Sequence, residues 1–325
     1  MNATDEPNLG ISPLSNIGDP MSGDPMPARV FYVMYLLLLV ATYSVSAESK
    51  VIRVVDAAKE NGTPQNQYFL SVLRLALDKS RERYGEYWIE PIDLPISQSR
   101  QFKELLKHNV DVFWTVSTAA RDTQAKPVAI PIAFGSFGIR ALAMNVTDSG
   151  KLNVHLSLSE LQKFNVVLGQ DWPDVHIFEK AGFTVEKYVD GLAVYRVLAN
   201  SAGKIFPRGV IEVVPELKAF NNKQVTYGEK NLLLYPSMVY FYVRKEDIKL
   251  HKRLEYGLTQ AFEDGSLAAL FYDSNMMVEL KKHFNLQGAA IHQIENPLII
   301  SKKQLDVITQ LQIELLKQLS YSPAR

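Results

Sequence analysis

Among its 325 residues the chain has no cysteine. That absence removes disulfides, thiolate metal sites, a cysteine nucleophile and a lipid-modified N-terminal cysteine. It does not by itself place the protein in a compartment. Net charge is missing too, because 35 Lys and Arg balance 35 Asp and Glu. No nucleic-acid partner is therefore expected, since such proteins carry a basic stripe. Catalytic signatures are also lacking: there is no G-x-S-x-G elbow, no phosphate loop and no GxGxxG after a strand. The histidines (His108, His155, His176, His251, His283 and His292) show no paired metal-ligand spacing. His176 and Glu179 could share a helical face, but a surface pair there is far commoner than a metal site. No metal and no cofactor is expected, and no enzymatic activity.

What is present begins with a leader. Arg29 precedes an apolar run from Val30 to about Val40, and Val45 and Ala47 stand at the minus-three and minus-one positions of a signal-peptidase site. Residues 26–47 read as a cleavable signal peptide, with a retained membrane anchor as the alternative. Residues 1–25 are acidic and rich in Gly, Pro, Ser and Asn, a poor start for a leader, so Met21 or Met26 offers a second start. A periplasmic location is expected for the mature chain.

The body reads as two α/β units. "KVIRVVDAA", "YWIEPIDL" and "VDVFWTVS" are strands by composition. Between them lie a helix with Phe69, Val72, Leu73, Ala76 and Leu77 on one stripe and a second helix with Phe102, Leu105 and Leu106 on one face. That alternation predicts a parallel, doubly wound sheet. Near residue 145 the pattern restarts. Ser157 and Glu160 are spaced as a capping box, "NVVLG" and "TVEKYV" read as strands, and "DWPDVHIFEKAG" and "GLAVYRVLANSAG" read as helices. A short strand "KIF" then leads into a turn at Phe206-Pro207-Arg208-Gly209. "NLLLYPSMVYFYVRK" returns the chain toward the first unit, and helices follow over about 246–264 and 266–284. At the end, Leu305, Ile308, Leu311, Leu315 and Leu319 stripe one more amphipathic helix.

The quoted segments, in this order, resemble the periplasmic solute-binding proteins of amino-acid uptake systems, family 3 with the type II binding fold. The features that carry the likeness are "VIRVVDAA", "VDVFWTVSTAARD", "LSELQKFNVVLGQDWPD", "YPSMVYFYVRKED" and "LEYGLTQAFEDGSLAALF", over roughly residues 50–290. The resemblance implies an α/β protein of two lobes, each a doubly wound sheet, hinged by crossing strands. Lobe 1 is expected over 48–142 and 232–300, lobe 2 over 143–231, and the C-terminal helix over 301–325. Ligands of open α/β sheets bind beyond the carboxyl ends of the strands, so the cleft between the lobes becomes the site.

The resemblance also implies ligand contacts. Arg121 in "STAARD" matches the arginine that clamps a ligand carboxylate, a task suited to its planar fork of donors. Thr115 and Ser117 could add hydroxyl contacts, and Asp56 matches an acidic residue that helps to bind an amine. Solvated or capping roles are the alternatives for Arg121 and Asp56. In lobe 2, Trp172 could cover the ligand or pack between the lobes, while Asp171 and Asp174 could cap a helix or accept from the ligand. Arg208 falls where relatives place the aspartate that pairs with the α-amine. A cation there would favour a second anion, unless it pairs internally with Glu212 or faces the other lobe. Arg100 and Arg140 are further candidates.

The expected function is capture of a small polar, anionic solute, amino-acid-like or a dicarboxylate, for an ABC-type transporter. A monomer that meets a membrane permease is expected. A ligand-sensing module for a signalling receptor is the alternative, followed by an enzyme on the same scaffold.

Overall fold

The computed structural model describes residues 50–55, 64–94, 98–189, 193–299 and 301–319. Asp56 and the leader segment lie outside the described residues. In the first lobe, strand β1 (Lys50–Val55) pairs in parallel with β2 (Tyr87–Ile92), Lys50 opposite Tyr87 and Val55 opposite Ile92. Pro91 is tolerated because β2 is an edge strand. Helix α1 (Pro64–Lys79) buries the expected stripe of Phe69, Val72, Leu73, Ala76 and Leu77. Helix α2 (Gln98–Leu106) buries Phe102 and Leu105. Strand β3 (Phe113–Val116) leads into the short helix α3 (Ala119–Gln124) and then β4 (Lys126–Val128). Trp114 of β3 stacks on Phe69 of α1 with ring centroids 4.1 Å apart, a contact worth about 1 kcal/mol beyond its buried area.

The second lobe opens with β5 (Ile139–Asn145), entered through a single 3-10 turn over Ser136–Gly138. It continues with helix α4 (Leu158–Leu161), β6 (Asn165–Gly169), α5 (Asp174–Lys180) and β7 (Val185–Tyr188). Then come α6 (Val194–Asn200), β8 (Lys204–Gly209), α7 (Val210–Phe220) and β9 (Val225–Leu234). The capping box at Ser157 and Glu160 is formed with both reciprocal bonds. The chain returns through β10 (Val239–Val243), followed by α8 (Ile248–Glu263), α9 (Ser266–Tyr272) and α10 (Asn275–His283). Strand β11 (Ala290–Gln293) and helix α11 (Lys302–Gln318) complete it.

The lobes are α/β, but their sheets are mixed. In the first, β10 lies antiparallel between β3 and β4, and β1 meets β3 through one parallel bridge, Val54 to Val112. In the second, six strands run in the order β11-β9-β5-β8-β6-β7. Three differences from expectation follow. Phe206-Pro207-Arg208-Gly209 is not a turn: β8 runs to Gly209, paired antiparallel with β5, and proline is tolerated because the β6 ladder stops at Ile205. Strand β11 joins the second lobe's sheet beside β9, because Ile291 can extend that apolar surface. The expected helix over 266–284 is broken at Ser274, whose hydroxyl caps α10 by accepting from the Met277 amide.

A buried carboxylate ties the two parts of the first lobe together. Asp111, next to β3, accepts from the Arg53 amide at 2.9 Å, its Nε at 3.0 Å and its Nη2 at 2.9 Å. Arg244, just after β10, donates to the same carboxylate at 2.9 Å and to the Val110 carbonyl at 2.7 Å. Burial works against the Asp111 charge, but the bonds from Arg53 and Arg244 hold its pKa below the usual carboxylate range. Asp111→Asn should cost about 3 kcal/mol, the low end for breaking a buried pair, because Arg53 is partly exposed. The contribution is fully present above the unfolded value of about 3.9 and is lost as pH falls through the lower folded value. Urea midpoints of wild type and variant should therefore differ at neutral pH and converge toward about pH 2.

Candidate functional site

Arg121 stands at the carboxyl end of the first lobe's sheet. Thr118 caps α3 by accepting from the Arg121 amide at 3.2 Å, which fixes where the side chain starts. The guanidinium then folds back: Nη1 donates to the Val116 carbonyl at 2.7 Å, and Nη2 to Gln98 Oε1 at 3.4 Å. Burial pushes its pKa down, while Tyr242 of the first lobe and Asp174 of the second favour its charge. Among the described residues no carboxylate lies within ion-pair distance of Arg121. The neighbouring hydroxyls are placed otherwise. Ser117 Oγ donates to Asp122, and the fully buried Thr115 hydroxyl has no hydrogen-bond partner.

The second lobe presents an ion cluster. Arg208, 8% exposed, lies one residue before the end of β8. Glu212 and Glu216 follow one and two turns into and along α7. Arg208 Nη2 donates to Glu212 Oε1 at 2.7 Å and also to Glu216, and its Nε donates to Glu216 Oε2 at 2.9 Å. On the next strand Arg140, 3% exposed, donates from Nε to the Tyr235 hydroxyl at 2.6 Å, from Nη1 to Glu212 at 3.3 Å and from Nη2 to Asp174. Tyr235 donates its hydroxyl proton to Asp174, and Tyr195 donates to Glu216 at 2.8 Å. Burial opposes the Arg208 charge, but Glu212 and Glu216 outweigh it and hold the guanidinium protonated above its ordinary range. Burial pushes the Glu212 carboxyl up, against the pull of Arg208. Two guanidiniums thus meet three carboxylates, Asp174, Glu212 and Glu216, leaving one negative charge in excess.

Trp172 covers this cluster. Its ring lies 4.8 Å from the Arg208 guanidinium carbon and stacks on Phe206 with centroids 5.8 Å apart. Asp171, on the loop before α5, accepts from Ser99 of α2 at 2.9 Å, and Gln65 of α1 donates to the Ile211 carbonyl at 3.5 Å. Lys218 of α7 pairs with Glu279 of α10. The lobes are closed on one another. Of the sequence candidates, Arg140, Arg208 and Trp172 come together, and Arg121 faces them through Asp174. Arg100 is exposed on α2, and Asp56 is outside the described residues. Sequence reasoning missed Tyr235, Glu216 and Gln98. A signal existed for Glu216: two acids four residues apart in the apolar run "VIEVVPEL" need a buried cation. Among the described residues no group of three His, Asp or Glu side chains is placed to hold a metal.

The cluster has a measurable cost. Arg208→Met should lower stability by about 3–5 kcal/mol, because Glu212 and Glu216 stay buried without their cation. Adding Glu212→Gln and Glu216→Gln should recover most of that loss in urea titrations. Equal stability of wild type and Arg208→Met would mean that the cluster is dispensable.

No family model matches the sequence, and no curated protein matches it. Solved structures do. A Streptococcus mutans structure, described for glutathione import through GshT and the cystine ABC importer TcyBC, superposes with a TM-score of 0.51 at 15% identity, over 70% of this chain and 95% of its own. An ancestral arginine-binding protein bound to glutamine gives 0.50 at 17% identity, over 70% and 98%. A histidine kinase sensor domain with similarity to periplasmic binding proteins gives 0.50 at 15%, over 70% and 96%. The chain has the two-lobe fold of the type II periplasmic binding proteins.

Proposed function

We propose that the protein is a periplasmic solute-binding protein that captures a small polar solute bearing a carboxylate between its lobes. Arg121 carries the reading. A desolvated guanidinium with no carboxylate of its own among the described residues, at the carboxyl end of β3, suits a bidentate anion. Charged groups in such a place are costly unless paired, and a ligand carboxylate supplies the pair. An amino-acid-like solute fits better than a dicarboxylate. Arg208 already has two carboxylates, so it offers little to a second anion, and the excess negative charge beside it suits an ammonium group. In this reading Ser117, Thr115, Trp172, Asp171 and Asp56 contribute the remaining contacts to the solute.

Residues 26–47 serve as the export signal in this reading, and a monomer delivers the solute to an ABC-type membrane permease. The likeness to a structure from glutathione import and to a glutamine-bound ancestor is in keeping with an amino-acid-like ligand. The likeness to a histidine kinase sensor domain favours a second reading, in which the same closure reports ligand to a receptor.

A thermal-shift panel of glutamine, glutamate, arginine, cystine, glutathione and succinate tests this. At least one amino-acid-like member should raise the melting temperature and be recovered unchanged. Arg121→Met should weaken that binding by about a hundredfold, from the loss of charge-assisted bonds, while melting no lower than wild type because a desolvated charge is removed. Unweakened binding by Arg121→Met would reject the site, and conversion of the ligand would reject a purely binding role.

A further inference from the structure

Two of the segments that cross between the lobes lie side by side. The first runs from β4 through Gly135 and Gly138 into β5, and the second runs from β9 through Tyr235, Pro236 and Ser237 into β10. They touch directly where the Tyr235 amide donates to the Gly138 carbonyl at 3.0 Å. A third element reaches both. Gln312, on α11 and 3% exposed, donates from Nε2 to the Gly135 carbonyl at 3.0 Å and to the Tyr235 carbonyl at 2.9 Å. One side-chain amide therefore holds one carbonyl from each crossing.

The backbone is cleared for it. A Cβ at Gly135, where φ is +76°, would overlap Gln312 Cγ, and a Cβ at Gly138 would overlap the Tyr235 carbonyl and Gln312 Nε2. Both positions must be glycine for the amide to enter, and at Gly135 the left-handed backbone requires it as well. Helix α11 is itself anchored on the first lobe. Ile308 packs with Phe102, Leu105, Phe113 and Tyr240, and Gln304 donates to the Tyr240 hydroxyl at 3.4 Å. Asn296, on the approach to α11, adds a bond to the Pro236 carbonyl at 2.7 Å.

We propose that Gln312 is a positioning residue: a hinge clamp by which the C-terminal helix holds the two crossing segments in the geometry of the closed lobes. Hinge closure is absorbed by φ/ψ changes in a few connecting residues. Gly135 and Tyr235 lie in those connections, and both clamp bonds are made with the lobes closed, as the Ser99–Asp171 bond shows. Opening turns the two carbonyls away from one amide, so the clamp favours closure. It would raise the apparent affinity of the proposed ligand site through the fraction of closed molecules. That consequence rests on the binding reading, whereas the clamp itself is measured without ligand.

The absence of native cysteine makes the measurement direct. Spin labels on Lys103→Cys of α2 and His176→Cys of α5, both exposed and one on each lobe, report lobe separation by pulsed dipolar spectroscopy. Gln312→Met fills the same space without the donors. Each lost bond is worth a factor of about five in an equilibrium, so the ratio of open to closed molecules should rise about twenty-five-fold for the two. Leu316→Ala, on the same helix and buried, should lower the melting temperature yet leave the distance distribution as in wild type. An unchanged distribution in Gln312→Met would overturn the proposal. So would an equal lengthening in Leu316→Ala, since packing rather than the amide would then be setting the hinge. Should Gln312→Met fail to fold, Gln312→Leu is uncharged, lacks the donors, and is read in the same way.

Discussion

Two guanidinium groups buried under the cleft edge of the second lobe must be matched by carboxylates, and that requirement organises the surrounding elements. Arg140 and Arg208 lie on neighbouring antiparallel strands, with Ala141 opposite Arg208. Their charges can be satisfied only if α7 brings Glu212 and Glu216 back over the end of β8 and α5 presents Asp174 from the other side. Desolvating either cation alone would cost several kcal/mol. The strand register, the start of α7 and the placement of α5 therefore stand or fall together. A cluster of this kind gives specificity of arrangement more than net stability, because its Coulomb gain is largely offset by desolvation.

The first lobe solves the same problem differently. At Asp111 two arginines share one carboxylate, and Arg244 also reaches Asp247 at 3.6 Å, so two cations meet two carboxylates. At Arg121 no carboxylate among the described residues balances the charge: the guanidinium has a carbonyl and an amide oxygen, with the fields of Tyr242 and Asp174. The contrast between a saturated cluster on one lobe and an unsaturated cation on the other makes the cleft electrically asymmetric. Among the described residues the Arg121 end carries an unpaired positive charge, whereas at the Arg208 end two cations meet three carboxylates. The arginine in "FPRG" therefore reads differently in three dimensions from its place in the chain: its sign is cancelled by the two acids that follow it.

Local rules made most elements legible. The apolar stripe of α1, the Ser157–Glu160 capping box and the buried face of α11 at Ile308, Leu315 and Leu319 all follow from spacing within a single helix. What was illegible depends on partners distant in sequence. Strand β8 reads as a turn at Pro207 because nothing local reveals β5 as its neighbour, and β11 reads as part of the first lobe until β9 is seen beside it. Arg121 was singled out through the family resemblance of "STAARD", which lies directly after a strand legible from its own composition. Tyr235 was not, since 95 residues separate it from the Arg140 it bonds. Gln312 lies still further from Gly135, at a separation of 177.

Tyr235 is where these long-range demands meet. Its amide donates to Gly138 across the two crossings, its carbonyl accepts from Gln312, and its hydroxyl bridges Arg140 and Asp174. One residue therefore belongs to the hinge backbone, to the C-terminal clamp and to the ion cluster. Rotating the lobes about the crossings must either carry the Tyr235 ring along with the second lobe or break its bonds to Asp174. Two bonds to that lobe's interior make the first far cheaper, so the strain of opening falls on the backbone at Tyr235 and Gly135, where Gln312 holds it. The ion cluster of the second lobe and the crossing held by Gln312 are thus joined by contiguous bonds.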